Sequence, residues 1–358
     1  MSAPVNGDGT ESPSEVGSRA EIARDRTFRQ RLAEAALGVA RVAGLLIAVA
    51  ILMGVFAWES DGRFFILANL LGMLRFMSTL AIVGVGLTVV LVVGEIDLSF
   101  ANLYGLSAMV MAVSWIEWGW PVYAAIGFGF LIAIVVGLFN GILVAYAGIP
   151  SFIATLGSSI LVFGFTLYVS DSQRYSPANP PSGKDIPSGE NSFFRGLSNQ
   201  DLPWDIPMQV LWMVGAALLF GFIISFSVFG FRLKAIGGNE EAARYAKLPV
   251  KRYKILAFVI VGLTAALASM LDFAFIGSIQ PDAGGSLLFP AFAAVIIGGA
   301  SLNGGRGTVI GTLSGALLLA VISNGLALIA AGAFLQQMVL GSVTIAAVAL
   351  DQFTRRLA

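Results

Sequence analysis

From about residue 40 to residue 352 the chain is a succession of long apolar runs, each closed by a short polar or glycine-rich interval. A hydrocarbon layer about 30 Å thick takes roughly 20 apolar residues per helix, and inside it each backbone N–H and C=O must find a partner within the protein. Runs of this length and number lead to one fold class, an all-α polytopic membrane protein. They place ten spanning helices at about 40–58, 74–93, 98–116, 121–146, 151–170, 208–230, 254–273, 288–300, 308–330 and 333–352, the eighth being short. Composition agrees: 57% of the 358 residues are hydrophobic and 12% charged, about half the charged share of a soluble domain.

Charge orients these spans. Lys and Arg gather at 19–41, at 232–254, at Arg306 and at Arg355–Arg356, whereas the long loop 171–207 holds three basic residues against five acidic ones. Ten spans with the amino terminus inside put each basic cluster in the cytoplasm, as the positive-inside rule requires, and both termini with them. Residues 1–18, rich in Ser, Gly, Pro and Glu, read as a disordered tail. Residues 19–37 space Ile22, Phe28 and Leu32 among arginines. That pattern fits an interfacial helix on the inner leaflet, or equally a charged stop before the first span. The first long apolar stretch, from near Val39, runs on as a full span, so no secretory signal is expected. The transmembrane domain then covers 38–354, with 171–207 as its external loop and 231–254 as its main cytoplasmic loop.

What the chain lacks narrows its chemistry. It contains no His and no Cys, so thiolate and imidazole metal sites, Cys nucleophiles and His general bases are all excluded. No catalytic or metal-binding residue is assigned. A net charge of zero gives no overall field to draw nucleic acid.

Two intervals break the apolar pattern. In Gly94-Glu95-Ile96-Asp97-Leu98-Ser99, two carboxylates stand between long apolar runs. Charges at that depth are costly and serve a pathway, a partner or a cap. The commoner outcome is that Asp97 or Ser99 caps the third span where water reaches it. The second interval, residues 298–307, has five glycines in ten residues: Gly298, Gly299, Gly304, Gly305 and Gly307, with Asn303 among them. It is not a phosphate loop, because no G-K-[ST] follows. The two intervals resemble each other in VVGEIDLS and IIGGASLN, as weak internal repeats of broken helices do in transporters, although glycine-rich packing alone produces the same pattern.

Between Phe229 and Leu256 seven of the 21 Lys and Arg surround a short helix-forming stretch, Asn239–Ala246. Asn239 is placed to cap it, and Glu240 and Glu241 stand in its first turn, where carboxylates suit the helix dipole. Spacing of i and i+4 sets Glu240 with Arg244 and Glu241 with Tyr245. Such a loop either docks a soluble partner or serves only to fix topology.

The stretches GEIDLS at 94–99, GIPSFIATLG at 148–157, RLKAIGGNEEAARYAKLPVKRYK at 232–254 and AAVIIGGASLNGGRGTVIGTLSGALLL at 293–319 resemble the permeases of binding-protein-dependent ABC sugar importers of the ribose and xylose type. The resemblance implies a multi-pass permease of the bacterial inner membrane, with two permease subunits, a homodimer in the simplest case, side by side. It implies two cytoplasmic ATPases that hold the ATP and Mg, no cofactor in this chain, and an extracytoplasmic sugar-binding protein. It implies that Gly238, Asn239, Glu240, Glu241, Ala242, Ala243, Arg244 and Tyr245 form the coupling helix that fits the ATPase. Glu95 stands where many members have glycine, Phe100 where Val is common, and Lys247 where glycine is frequent.

The solute path is then expected near the permease interface, lined by polar residues stranded in apolar spans: Asn102, Ser107, Asn140, Thr155, Ser158 and Asn324, with Phe152 as an aromatic face. Each also has an ordinary role, bonding a neighbouring helix or facing lipid. Rival readings are an ion-coupled secondary transporter, which has no use for the EEAARYAKLPV loop, and a membrane enzyme, which would need more than Glu95 and Asp97. A permease for a polyol, inositol, an autoinducer or a nucleoside-like solute stays inside the same family.

Overall fold

A computed structural model of the chain describes residue 40 and residues 42–356. The tail expected at 1–18 and the interfacial helix expected at 19–37 lie outside the described residues. Contacts divide the chain between Gly44 and Leu45, and the second unit holds everything that follows.

Among the described residues the helices are α1 (Val42–Glu59), α2 (Leu67–Val92), α3 (Phe100–Ile116), α4 (Val122–Ala145), α5 (Ser151–Ser170), α6 (Ser188–Asn199), α7 (Met208–Phe226), α8 (Val228–Gly238), α9 (Glu240–Tyr245), α10 (Val250–Ile276), α11 (Leu288–Ile297), α12 (Val309–Leu328) and α13 (Ala333–Arg356). Seven are long and apolar enough to cross a membrane: α1, α2, α4, α5, α7, α10 and α12. The apolar stretches in α3, α11 and α13 are shorter. Each expected span therefore has a helix. One two-residue antiparallel ribbon, β1 (Asp201–Leu202) with β2 (Ile206–Pro207), lies between α6 and α7.

Three boundaries differ from the expectation for physical reasons. α2 starts at Leu67, not near 74, because Arg75 does not end the helix: its guanidinium lies 4.6 Å from the centre of the Phe275 ring, and the span runs through it. α7 stops at Phe226 because the Ser227 side chain caps a new helix by accepting from Gly230 N at 3.1 Å. Residues 231–238, expected as loop, are thus helical, and α10 begins at Val250 rather than 254.

α2 and α3 are apolar all round and buried over most of their length, whereas α4, α5 and α7 expose large apolar side chains such as Leu131, Ile160 and Leu218. A helix that is apolar on every side belongs inside protein or in lipid, and here the two roles divide between an inner and an outer set. α10 is the inner helix against which α2, α3, α4 and α6 pack. Its seam with α4 is made of small residues: a Cβ on Gly137 would lie 2.7 Å from Val259 Cα, and one on Gly141 2.7 Å from Ile255 Cα. Backbones approach this closely only where no side chain intervenes.

The loop 171–207 is anchored to the bundle. Tyr175 and Ile279 exchange backbone hydrogen bonds at 3.0 and 2.9 Å, and α6 buries Phe194 between Trp115 and Phe273. Trp115 Nε1 donates to Glu190 at 2.7 Å, fixing the first turn of α6 above the end of α3.

Candidate coupling site

At the opposite end of α10 the two breaks and the basic loop come together. α2 ends in a glycine cap: Gly94 takes φ +90, its N–H donates to Leu91 O at 3.0 Å, and Glu95 N–H donates to Val90 O at 3.0 Å. α11 ends the same way, with Gly299 at φ +100, Gly299 N–H on Ile296 O at 2.9 Å and Ala300 N–H on Val295 O at 3.1 Å. Both breaks therefore open with a C-terminal cap of the Schellman type on a left-handed glycine, but the likeness of VVGE to IIGG sets Gly94 against Gly298, one residue out of register with the cap glycine Gly299.

The glycines of three segments then meet backbone to backbone. A Cβ on Gly304 would sit 2.5 Å from Gly237 O and 2.8 Å from Gly94 Cα, and Gly305 N–H donates to Val92 O at 2.9 Å. Gly298 packs as closely against the backbone of Gly311. Asn303 is exposed, while its backbone closes the turn beside Gly94.

α9 hangs below this junction. Asn239 Oδ1 accepts from Ala242 N–H at 2.9 Å, which starts the helix, and Ala243, 5% exposed, plants it. The helix ends through Lys247, which takes φ +56 while Leu248 N–H donates back to Ala243 O at 3.0 Å. The position where glycine is frequent among the resembling permeases is thus one that needs a left-handed backbone, and here a lysine fills it. Glu240 bonds Arg244 at 2.5 Å and Lys254 at 2.8 Å, and Lys254 reaches Glu95 at 2.5 Å. The Lys254 and Glu95 side chains are each 10% exposed. Burial alone would raise the Glu240 pKa, but the hydrogen bonds from Lys254 and Arg244 outweigh it and hold the carboxyl below its ordinary value. Gly238, Glu241, Ala242, Arg244 and Tyr245 face outward, Tyr245 at 81% exposure.

Asp97 and Ser99 behave as an Asx turn ahead of α3. Asp97 Oδ1 accepts from Ser99 N–H at 2.7 Å and from Ser99 Oγ at 2.6 Å, and Asn140 Nδ2 donates to Ser99 Oγ at 2.7 Å. Ser99, which precedes α3, makes no side-chain cap bond to the helix, and the expectation that water reaches this turn needs correcting too, since Asp97 is 1% exposed and Ser99 fully buried. Helix α4, through Asn140, takes the place of water.

The other path candidates are scattered. Asn102 donates to Ser159 O and Oγ on α5 at 3.0 and 2.9 Å, and Thr155 Oγ1 accepts from Leu98 N–H at 3.0 Å. Ser158 bonds Thr155 O in its own helix, and Asn324 pairs with Asn69 across α12 and α2. Ser107 is buried with its hydroxyl unpartnered, and Phe152 is 52% exposed on the outer face of α5. Two groups escaped the sequence reading: Lys254, counted there only as one more basic residue, and Asp272, a carboxylate inside an apolar run whose isolation was itself the signal. Among the described residues no three Asp or Glu side chains come together as a metal ion would need.

The comparisons with known proteins agree with this architecture. The chain is 29% identical to the "Xylose transport system permease protein XylH" of Escherichia coli (strain K12), covering 87% of this chain and 92% of that protein. It is 36% identical to the "Ribose import permease protein RbsC" of Bacillus subtilis (strain 168), covering 79% and 84%, and 33% identical to RbsC of Escherichia coli (strain K12), covering 86% and 92%. No solved structure gives a significant match. Residues 69–348, well over half the chain, match one family throughout. The chain belongs to the family described as branched-chain amino acid transport system / permease component.

Proposed function

We propose that this protein is the membrane-spanning permease subunit of an ABC importer that admits a pentose or hexose through the bacterial inner membrane. The solute class follows the xylose and ribose permeases to which it is similar over most of its length. Ten spans, seven full and three short, put both termini and α9 in the cytoplasm, on the side of Arg232, Lys234, Arg244, Lys247, Lys251, Arg252 and Arg306. Two copies stand side by side, two cytoplasmic ATPases supply the energy and bind ATP and Mg, and a binding protein delivers solute on the side of α6.

The observation that carries the reading is the mounting of α9. A six-residue helix with Glu241, Arg244 and Tyr245 turned outward is tied through Glu240 and Lys254 to the break at Glu95. A loop that served topology alone would have no reason to hold a polar face outward on so short a mount. The permease is then a two-state element, biased by ATPase closure below and binding-protein docking above.

The test is reconstitution. The purified chain alone in liposomes is expected to show no ATP hydrolysis and no sugar flux. Adding the ATPase and the binding protein encoded with it should give ATP-dependent uptake of xylose or ribose. Uptake by the chain alone would overturn the ABC mechanism, and uptake of branched-chain amino acids in place of sugars would overturn the solute class.

A further inference from the structure

Asp272 is a carboxylate inside the 27-residue apolar helix α10, five residues before its C-cap Gly277. Charged groups at such a depth are rare and face a bundle interior or an aqueous cavity. Tyr104 OH donates to Asp272 Oδ2 at 2.5 Å, and Thr79 Oγ1 donates to Oδ1 at 2.8 Å. Tyr104 and Thr79 are 4% and 5% exposed, whereas Asp272 is only half-buried. The carboxylate is therefore gripped from α3 and α2, while the residue as a whole keeps part of its surface accessible. An ionised carboxylate accepts at about four lone-pair positions, so the two hydroxyls leave acceptor capacity unused.

α10 is flanked by α2, α3, α4 and α6, all protein. Beside Tyr104, the loop after α10 dips onto α3: a Cβ on Gly105 would lie 3.3 Å from Pro281 O, and Gly284 packs on the backbone of Ala101. In this dipping loop Asp282, Gly285 and Ser286 are exposed. Phe275, three residues along α10, has its ring under the Arg75 guanidinium, 4.6 Å from the ring centre. A carboxylate with spare acceptor capacity among buried helices suits a solute rich in hydroxyl groups.

We propose that Asp272, held by Tyr104 and Thr79, is a hydroxyl-accepting contact for a polyhydroxylated solute on its passage through the permease. This rests on the sugar reading above and adds to it a site inside the membrane. The contact is a single carboxylate, which fits a solute handed on rather than stored.

The test uses the assembled importer, with the binding protein saturated so that its own selectivity drops out. Unmodified importer is expected to take up xylose or ribose, and failure of that arm overturns the sugar reading and the proposal with it. Given uptake, Asp272→Asn should lower maximal flux at least tenfold while ATPase stimulation, binding-protein docking and melting temperature stay near those of the parent. Tyr104→Phe and Thr79→Val, each removing one hydroxyl, should give intermediate losses and change the ratio of uptake between the sugar and its deoxy analogues. Because the chain has no cysteine, Asp272→Cys offers a second readout. A membrane-impermeant methanethiosulfonate should label it from the α6 side, more slowly when loaded binding protein is present. Unchanged flux in Asp272→Asn, a loss that merely tracks a fall in melting temperature, or no labelling of Asp272→Cys would each overturn the contact and leave a plain interhelical staple.

Discussion

The Lys254 ammonium lies 2.5 Å from the Glu95 carboxylate, joining the start of α10 to the break after α2. Lys254 also holds Glu240 of α9, so one cation serves two carboxylates. Removing one partner of a buried pair costs about 3 kcal/mol, largely because the charge left behind is unpaired. Lys254→Met should therefore lower the melting temperature and loosen ATPase coupling. The exchange Glu95→Lys with Lys254→Glu should recover part of the stability yet not the coupling, since Glu240 then faces a carboxylate. Thermal melts and stimulated ATP hydrolysis across the double-mutant cycle read both quantities.

Tyr245, 81% exposed, makes its contribution only when a partner arrives. Tyr245→Ala is expected to leave the free permease as stable as the parent and to reduce ATPase co-purification severalfold. The pair Glu241→Lys and Arg244→Glu should uncouple hydrolysis from transport at unchanged permease abundance. Retained coupling in both variants would place the docking face elsewhere, first on the turn of Gly304–Gly307.

Lys247 carries a left-handed backbone at φ +56. A side chain in that region costs on the order of 1 kcal/mol or more. Lys247→Gly should raise stability by up to about 1 kcal/mol, the greater flexibility of glycine in the unfolded chain offsetting part of the gain. A fall in melting temperature would mean that the lysine side chain makes a compensating contact.

Phe194 is 1% exposed between Trp115 and Phe273. Phe194→Ala should destabilise the fold by about 3 kcal/mol and release α6, measurable as faster proteolysis between residues 180 and 200. Lys184→Ala, at an exposed contact with Glu117 O, should be near neutral. Equal effects of the two would show that the loop is a spacer.

Glu240 titrates below its ordinary value because Lys254 and Arg244 hold its charged form. The stabilisation is complete above the unfolded carboxylate pKa of about 4.3 and is lost as pH falls through the lower folded value. Protection of the α9 amides against hydrogen exchange, corrected for intrinsic rates, should therefore hold at neutral pH and drop below about pH 4. Glu240→Gln should remove that acid step.

The span pattern was legible because period and length do not depend on tertiary context. Ser151–Ser170 falls on its expected limits. Helix α2 does not, because Arg75 looks like an end unless Phe275, two hundred residues away, is known to cover it. The cap at Asn239 was readable from local chemistry, and the structure shows its hydrogen bond to Ala242. What local chemistry could not supply was the pairing of distant groups: Glu95 with Lys254, Tyr104 with Asp272, Asn69 with Asn324. These depend on how helices cross, and nothing in a single run of residues encodes that.

Where Gly94, Gly237 and Gly304 meet there are no side chains to turn aside. Elsewhere in the bundle a small push can be lost in the rotation of a leucine or the bend of a methionine. At this joint peptide plane bears on peptide plane, and play is scarce. A displacement of α8, which carries α9, is therefore expected to reach the cap of α2 with little of it taken up by side chains. The bareness of the three segments makes them a stiff lever between the cytoplasmic rim and the inner helices.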